Sequence, residues 1–187
     1  MSLDITFRLS DTDLEHFREV MTRARDAGRD RTPEDIVEHA SKLITKVNQS
    51  GTAEFIRERM DTLEVLIGMV LDKGWALEEE DHERVVEALS YFAEAEDLIP
   101  DDIPGLGFLD DAIMIELVAQ DLTHEIDAYR DFVVYRAAES CRRGQAAESL
   151  ERADWLEERR KQLQSRMRRR RRRGGGRDGG RSPFSML

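Results

Sequence analysis

The sequence predicts a mainly α-helical protein with one short N-terminal β-strand and a disordered, arginine-rich C-terminal tail. Three observations lead there. Aromatic residues make up only 6% of the chain and charged residues 37%, so the core must come from Leu, Ile, Val and Met. Abundant Glu, Arg, Ala and Leu favour helices, because straight-chain side chains lose little rotamer freedom in them. Apolar residues recur at helical spacing through most of the sequence, alternate only at the start and lose periodicity at the end.

Leu3, Ile5, Phe7 and Leu9 alternate with Asp4, Thr6 and Arg8, the period of two of a strand with one apolar face. Ser10 or Thr12 then caps a helix, with Asp13 or Glu15 three residues on as in a capping box. Leu14, Phe17, Val20, Met21 and Ala24 form its stripe, and Gly28 ends it. Thr32-Pro33-Glu34-Asp35 starts a second helix, with a capping hydroxyl and proline at the first helical position. A third helix is expected from about Ala53 to Lys73, ended by Gly74, and a fourth near Glu79–Ala93. Pro100 and Pro104 then break the pattern by pushing Ile99 and Ile103 out of the helical region. One long helix is expected from Asp110 to about Arg143, and a charged helix carrying Trp155 and Leu156 follows Gly144. These elements divide the chain into a strand–helix–helix segment over 1–50, a helical domain over 52–143, a charged helix over 144–165 and a disordered tail over 166–187.

The charge is uneven. Residues 166–181 hold nine arginines against Asp178, a local +8, so the rest of the chain carries −19 of the net −11. An acidic body with a basic tail is the first functional clue. The single Cys141 excludes an intrachain disulfide and a cysteine-built metal site. It lies beside Arg142 and Arg143, which would lower a thiol pKa, but a partly buried, inert cysteine is the plainer expectation. No basic-then-apolar leader opens the sequence, and the densest apolar stretches fall far short of the roughly 20 residues of a membrane span. A cytoplasmic location is expected.

Residues 97–111 read Asp-Leu-Ile-Pro-Asp-Asp-Ile-Pro-Gly-Leu-Gly-Phe-Leu-Asp-Asp, with Tyr91-Phe92 ahead. Asp97, Pro100, Asp101, Pro104, Gly107, Asp110 and Asp111 make this segment similar to the signature of the YkvA-like family, a bacterial domain of unknown function. The resemblance implies a helical domain and supplies no activity. The sequence departs from the family at Glu94-Ala95-Glu96 and again at Glu116, Gln120 and Asp121, where relatives are more apolar; the membrane contact presumed for such relatives is less expected here. The first 48 residues resemble a ribbon–helix–helix arrangement, in which the lone strand would pair with that of a second copy. The resemblance implies a homodimer. In DNA-binding members the polar strand positions read the major groove, here Thr6 and Arg8, although this segment carries ten acids against eight basic residues.

Five aspartates between 97 and 111 offer oxygen ligands for Mg²⁺ or Ca²⁺, but their spacing does not fit an EF-hand loop. Capping explains them directly: Asp110 and Asp111 sit where a helix begins, and Asp97 and Asp101 border the proline turns. Leu98, Ile99, Ile103, Leu106, Phe108 and Leu109 are expected to pin the loop onto the helices. Glu79–His82 and Asp121–His124 share the spacing of di-iron helix bundles, yet only Glu64 approaches a further inward carboxylate, and surface pairing is the simpler reading. No phosphate loop, nucleophile elbow or metalloprotease motif is present, so no catalytic residue, metal ligand or cofactor is expected.

Arg166 and Arg168, Arg169, Arg170, Arg171, Arg172 and Arg173, followed by glycines, resemble arginine–glycine RNA-binding tails. The expectation is therefore a non-enzymatic, dimeric helical adaptor contacting RNA or DNA non-specifically through these arginines. The alternatives are a ribbon–helix–helix transcriptional regulator, a metal-dependent enzyme built on the aspartate loop, and a peripheral membrane protein with the arginines on anionic lipid. The same arginines could also fold back on the acidic body.

Overall fold

The computed structural model describes residues 8–27, 31–93, 98–103, 106–144 and 154–174. Among these it is helical throughout its regular structure: α1 (Asp11–Ala27), α2 (Pro33–Gln49), α3 (Glu54–Leu71), α4 (Glu79–Leu89), a 3-10 turn (Ser90–Ala93), α5 (Leu109–Asp121), α6 (Thr123–Arg143) and α7 (Asp154–Gly174). The expected N-terminal strand is corrected. Arg8, Leu9 and Ser10 carry no strand, and α1 begins directly after them. Residues 1–7, with Thr6, lie outside the described residues.

Local chemistry accounts for the helix starts. The Asp13 amide donates to Ser10 Oγ at 3.3 Å and the Ser10 amide to Asp13 Oδ2 at 2.8 Å, so Ser10 rather than Thr12 caps α1. Thr32 and Asp35 form the same reciprocal box before Pro33 at the start of α2. Helix α3 ends two residues before Lys73, because Asp72 takes over: its carboxylate accepts the Gly74 amide at 2.9 Å and the Trp75 amide at 3.2 Å.

The expected 110–143 helix is interrupted at Leu122, which has φ −105° and ψ 20°. The Thr123 hydroxyl donates to the carbonyls of Ala119 and Gln120, offering the backbone an alternative to the helical ladder. The break lets α5 and α6 take separate courses. Helix α5 is buried almost all round, from Asp110 through Ile115 and at Leu117 and Val118. Helix α6 buries Ile126, Ala128, Tyr129 and Phe132. Trp75, fully buried, packs its ring 5.1 Å from that of Phe132 and 5.7 Å from that of Tyr129.

The largest correction concerns the arginines. Arg166 and Arg168–Arg173 do not begin a disordered tail; they are the last turns of α7, which packs along α6. Leu156, Leu163 and Met167, spaced seven and four apart, are its buried stripe. Arginine is a good helix former, and cations in a last turn complement the helix dipole. Residues 175–187 lie outside the described residues.

Candidate functional site

Two features take up the residues singled out by sequence: the 97–111 loop and the arginine end of α7. In the loop, Asp110 is 1% exposed, and its Oδ2 accepts the amides of Leu98 at 2.8 Å and Ile99 at 3.0 Å. Asp110 therefore fastens a segment eleven and twelve residues away. It does not act as the cap of its own helix, whose N-cap is Phe108 in a left-handed conformation with φ 66°. Asp111 is also buried. Asp101 Oδ2 lies 3.3 Å from Lys46 Nζ on α2. The Gly107 amide donates to the Ile103 carbonyl at 2.8 Å, and a Cβ on Gly107 would overlap the Asp101 carbonyl oxygen. Only glycine permits that approach. Asp97 and Pro104 lie outside the described residues.

The loop's apolar residues divide. Phe108 is buried and Leu109 partly so, whereas Leu98, Ile103 and Leu106 are exposed and do not pin the loop as expected. Backbone-to-carboxylate bonding holds it instead.

The arginine end is built by three helices. Asp81 on α4 and Glu125 on α6 are 1% and 0% exposed. Arg171 Nη1 reaches both, at 2.7 Å from Asp81 Oδ1 and 2.9 Å from Glu125 Oε1. Arg168 Nη1 lies 3.0 Å from Asp81 Oδ2 and 2.7 Å from Glu78 Oε2. Arg84 adds a longer contact to Glu125, 3.5 Å, and donates to the Asp121 carbonyl. Two buried carboxylates are thus neutralised by guanidinium groups that also supply hydrogen bonds. The guanidinium of Arg171 loses hydration on burial, but its bonds to Glu125 and Asp81 outweigh that and raise its pKa further.

The other arginines of the run stand outside this cluster. Arg166, Arg169, Arg170, Arg172 and Arg173 are exposed and make no ion pair among the described residues. A small cavity between α6 and α7, about 10 Å³, is lined by His124, Asp127 and Asp131 on one wall and by Arg166 and Arg170 on the other. Cys141 is exposed, and its neighbours Arg142 and Arg143 pair with Glu139. Among the described residues no three of His, Cys, Asp and Glu come together as a metal-ligand group, and no helix is long and apolar enough to cross a membrane.

Sequence reasoning missed Asp81, Glu125 and Gln164. Gln164 donates from a buried position to the Trp75 carbonyl at 2.8 Å. The available signal was the stripe Leu156–Leu163–Met167, which continues one turn later into Arg171.

Residues 85–117, from the middle of α4 through the loop into α5, match a family described as a protein of unknown function (DUF1232). No curated protein matches the chain, and no solved structure does. The matched stretch contains the Asp110 fastening and the Gly107 approach, and it excludes the arginine end.

Proposed function

We propose that this protein is a non-enzymatic helical adaptor that binds nucleic acid without sequence preference through the outward arginines of α7. The support is the division of the run: Arg168 and Arg171 are spent inside the fold, while Arg166, Arg169, Arg170, Arg172 and Arg173 stand exposed without an ion pair among the described residues. Guanidinium groups fixed on a docked helix lose less freedom on meeting phosphates than the same groups on a loose tail. Phosphate contacts position a strand without reading it, so little dependence on base sequence is expected. The YkvA-like resemblance of residues 97–111 goes with this reading only as a structural module, because Asp110 accepts the Leu98 and Ile99 amides and Asp101 pairs with Lys46.

Fluorescence anisotropy of the full chain with a labelled oligonucleotide tests the proposal. With three to five phosphates engaged, the log–log salt slope for a single strand should lie between about −2 and −3.5. Arg169→Ser, Arg172→Ser and Arg173→Ser together should abolish binding while circular dichroism stays unchanged. Salt-insensitive binding, or equal binding by the triple variant, overturns it.

A further inference from the structure

We infer that the arginine ridge of α7 selects single-stranded nucleic acid over a duplex, because acidic walls flank it on both sides. The inference rests on the nucleic-acid reading above and names the class of strand. With 3.6 residues per turn, Arg166 and Arg170 occupy one flank of α7, and Arg168 and Arg171 the opposite one. The first flank faces Asp127 and Asp131 of α6, which line the same narrow cavity as Arg166 and Arg170. Both aspartates are exposed and make no ion pair among the described residues. The second flank meets the start of α4, where Glu78, the residue just before the helix, lies against Arg168 and Glu80, 89% exposed, lies 3.6 Å from Arg171. Between the walls the crest belongs to Arg169, Arg172 and Arg173, all exposed.

This topography discriminates by the number of phosphate rows. A duplex presents two rows, separated by grooves roughly 6 Å and 12 Å wide. A helix with its side chains is about 10–12 Å across. Two rows astride α7 would therefore come down on the carboxylates of α4 and α6. Docking α7 deep in a major groove would require it to stand clear of its neighbours, whereas Leu156, Leu163 and Met167 seat it against the body. A single strand has one row, which can follow the crest as strands follow other basic tracks. A flat anionic bilayer meets the walls as a duplex does. The preference arises from repulsion of the wrong partner as much as from attraction of the right one.

The test compares the full chain binding a labelled 12-nucleotide single strand, the corresponding 12-base-pair duplex, and phosphatidylserine vesicles at equal low salt. The single strand should bind at least about tenfold more tightly than the duplex, given the cost of like-charge contacts. Neutralising the walls with Asp127→Asn, Asp131→Asn and Glu80→Gln should narrow that gap by improving duplex binding, with the helical signal unchanged because all three residues are exposed. Equal salt-sensitive binding of strand and duplex by the parent overturns the selectivity and leaves the nucleic-acid reading standing. So does a gap that the wall variant leaves intact. Binding of neither nucleic acid, or tighter capture by the vesicles, overturns both.

Discussion

Arg171 on α7 and Asp81 on α4 meet at 2.7 Å in a place where the carboxylate is 1% exposed, although ninety residues separate them in the chain. The same nitrogen holds Glu125. Removing the guanidinium leaves Asp81 to Arg168 alone and Glu125 to the longer Arg84 contact, and nothing then bridges the two carboxylates.

Arg171→Ala is therefore expected to destabilise the fold by about 3 kcal/mol, at the lower end for a broken buried ion pair because Arg171 keeps some solvent contact. The same change at Arg173 should cost nothing measurable, since that side chain stands exposed. Urea unfolding of the two variants checks this. Equal stability would show that the arginine end of α7 is not anchored through Asp81 and Glu125.

Asp110→Ala strips two amides, those of Leu98 and Ile99, of a shared buried acceptor. A loss of about 2–3 kcal/mol is expected, and about 1 kcal/mol for Asp110→Asn, which keeps one acceptor oxygen. A chelator should leave the melting temperature of the parent unchanged. Stoichiometric binding of Mg²⁺, Mn²⁺ or Ca²⁺ that disappears in Asp110→Asn would instead assign the loop a metal role.

Gly107→Ala places a methyl group against the Asp101 carbonyl oxygen, a backbone atom that cannot swing aside. The loop must shift, at a cost of roughly 1–3 kcal/mol for a forced overlap. Gly51→Ala, where a Cβ meets nothing within 4 Å, is the control and should leave the melting temperature within a degree or two.

How far these features were legible follows from the range over which each signal acts. Ser10–Asp13 and Thr32–Asp35 are three residues apart, so both capping boxes could be read from the sequence. The Leu122 break was not, because Met114, Leu117, Val118, Leu122, Ile126 and Tyr129 keep one continuous apolar rhythm across it and all are buried. The strand was inferred from alternation alone, a pattern that a lone segment cannot stabilise, and Arg8–Ser10 lead straight into α1. The arginine run was misjudged for a related reason. Its inward partners, Asp81 and Glu125, come from helices 87 to 90 and 46 residues away; the acidic body offered itself as a partner in composition, but nothing local singled out these two carboxylates. The aspartate loop was half legible: its turns and close glycine were visible, while the long reach of Asp110 to Leu98 was not.

Both pH limits of stability should pass through one cluster. Asp72 accepts two hydrogen bonds from Arg136, at 2.8 and 2.7 Å, and one from the Tyr129 hydroxyl at 3.1 Å. Burial pushes the Asp72 carboxyl up, but the Arg136 bonds and charge, with the Trp75 amide and Tyr129, outweigh it and hold the group below the usual aspartate range. A depressed native pKa stabilises the fold above the unfolded value of about 3.9, and that contribution fades as pH falls through the native one. Burial, followed by the Asp72 charge, pushes the Tyr129 hydroxyl up to about 12. Here the native pKa is raised, so its contribution is complete below the unfolded value near 10 and is lost between about 10 and 12. Asp72→Asn should lower the melting temperature at pH 7 and flatten its decline below pH 4. Tyr129→Phe should flatten the decline above pH 10 and leave the acid limb in place. Gly68, whose Cβ would stand 2.9 Å from the Tyr129 hydroxyl, gives an independent handle. Gly68→Ala should displace the phenol from Asp72 and bring the alkaline transition down toward pH 10. Thermal melts from pH 3 to 12 on the four proteins decide the matter: an alkaline limb in Tyr129→Phe as steep as the parent's would remove Tyr129 as its cause.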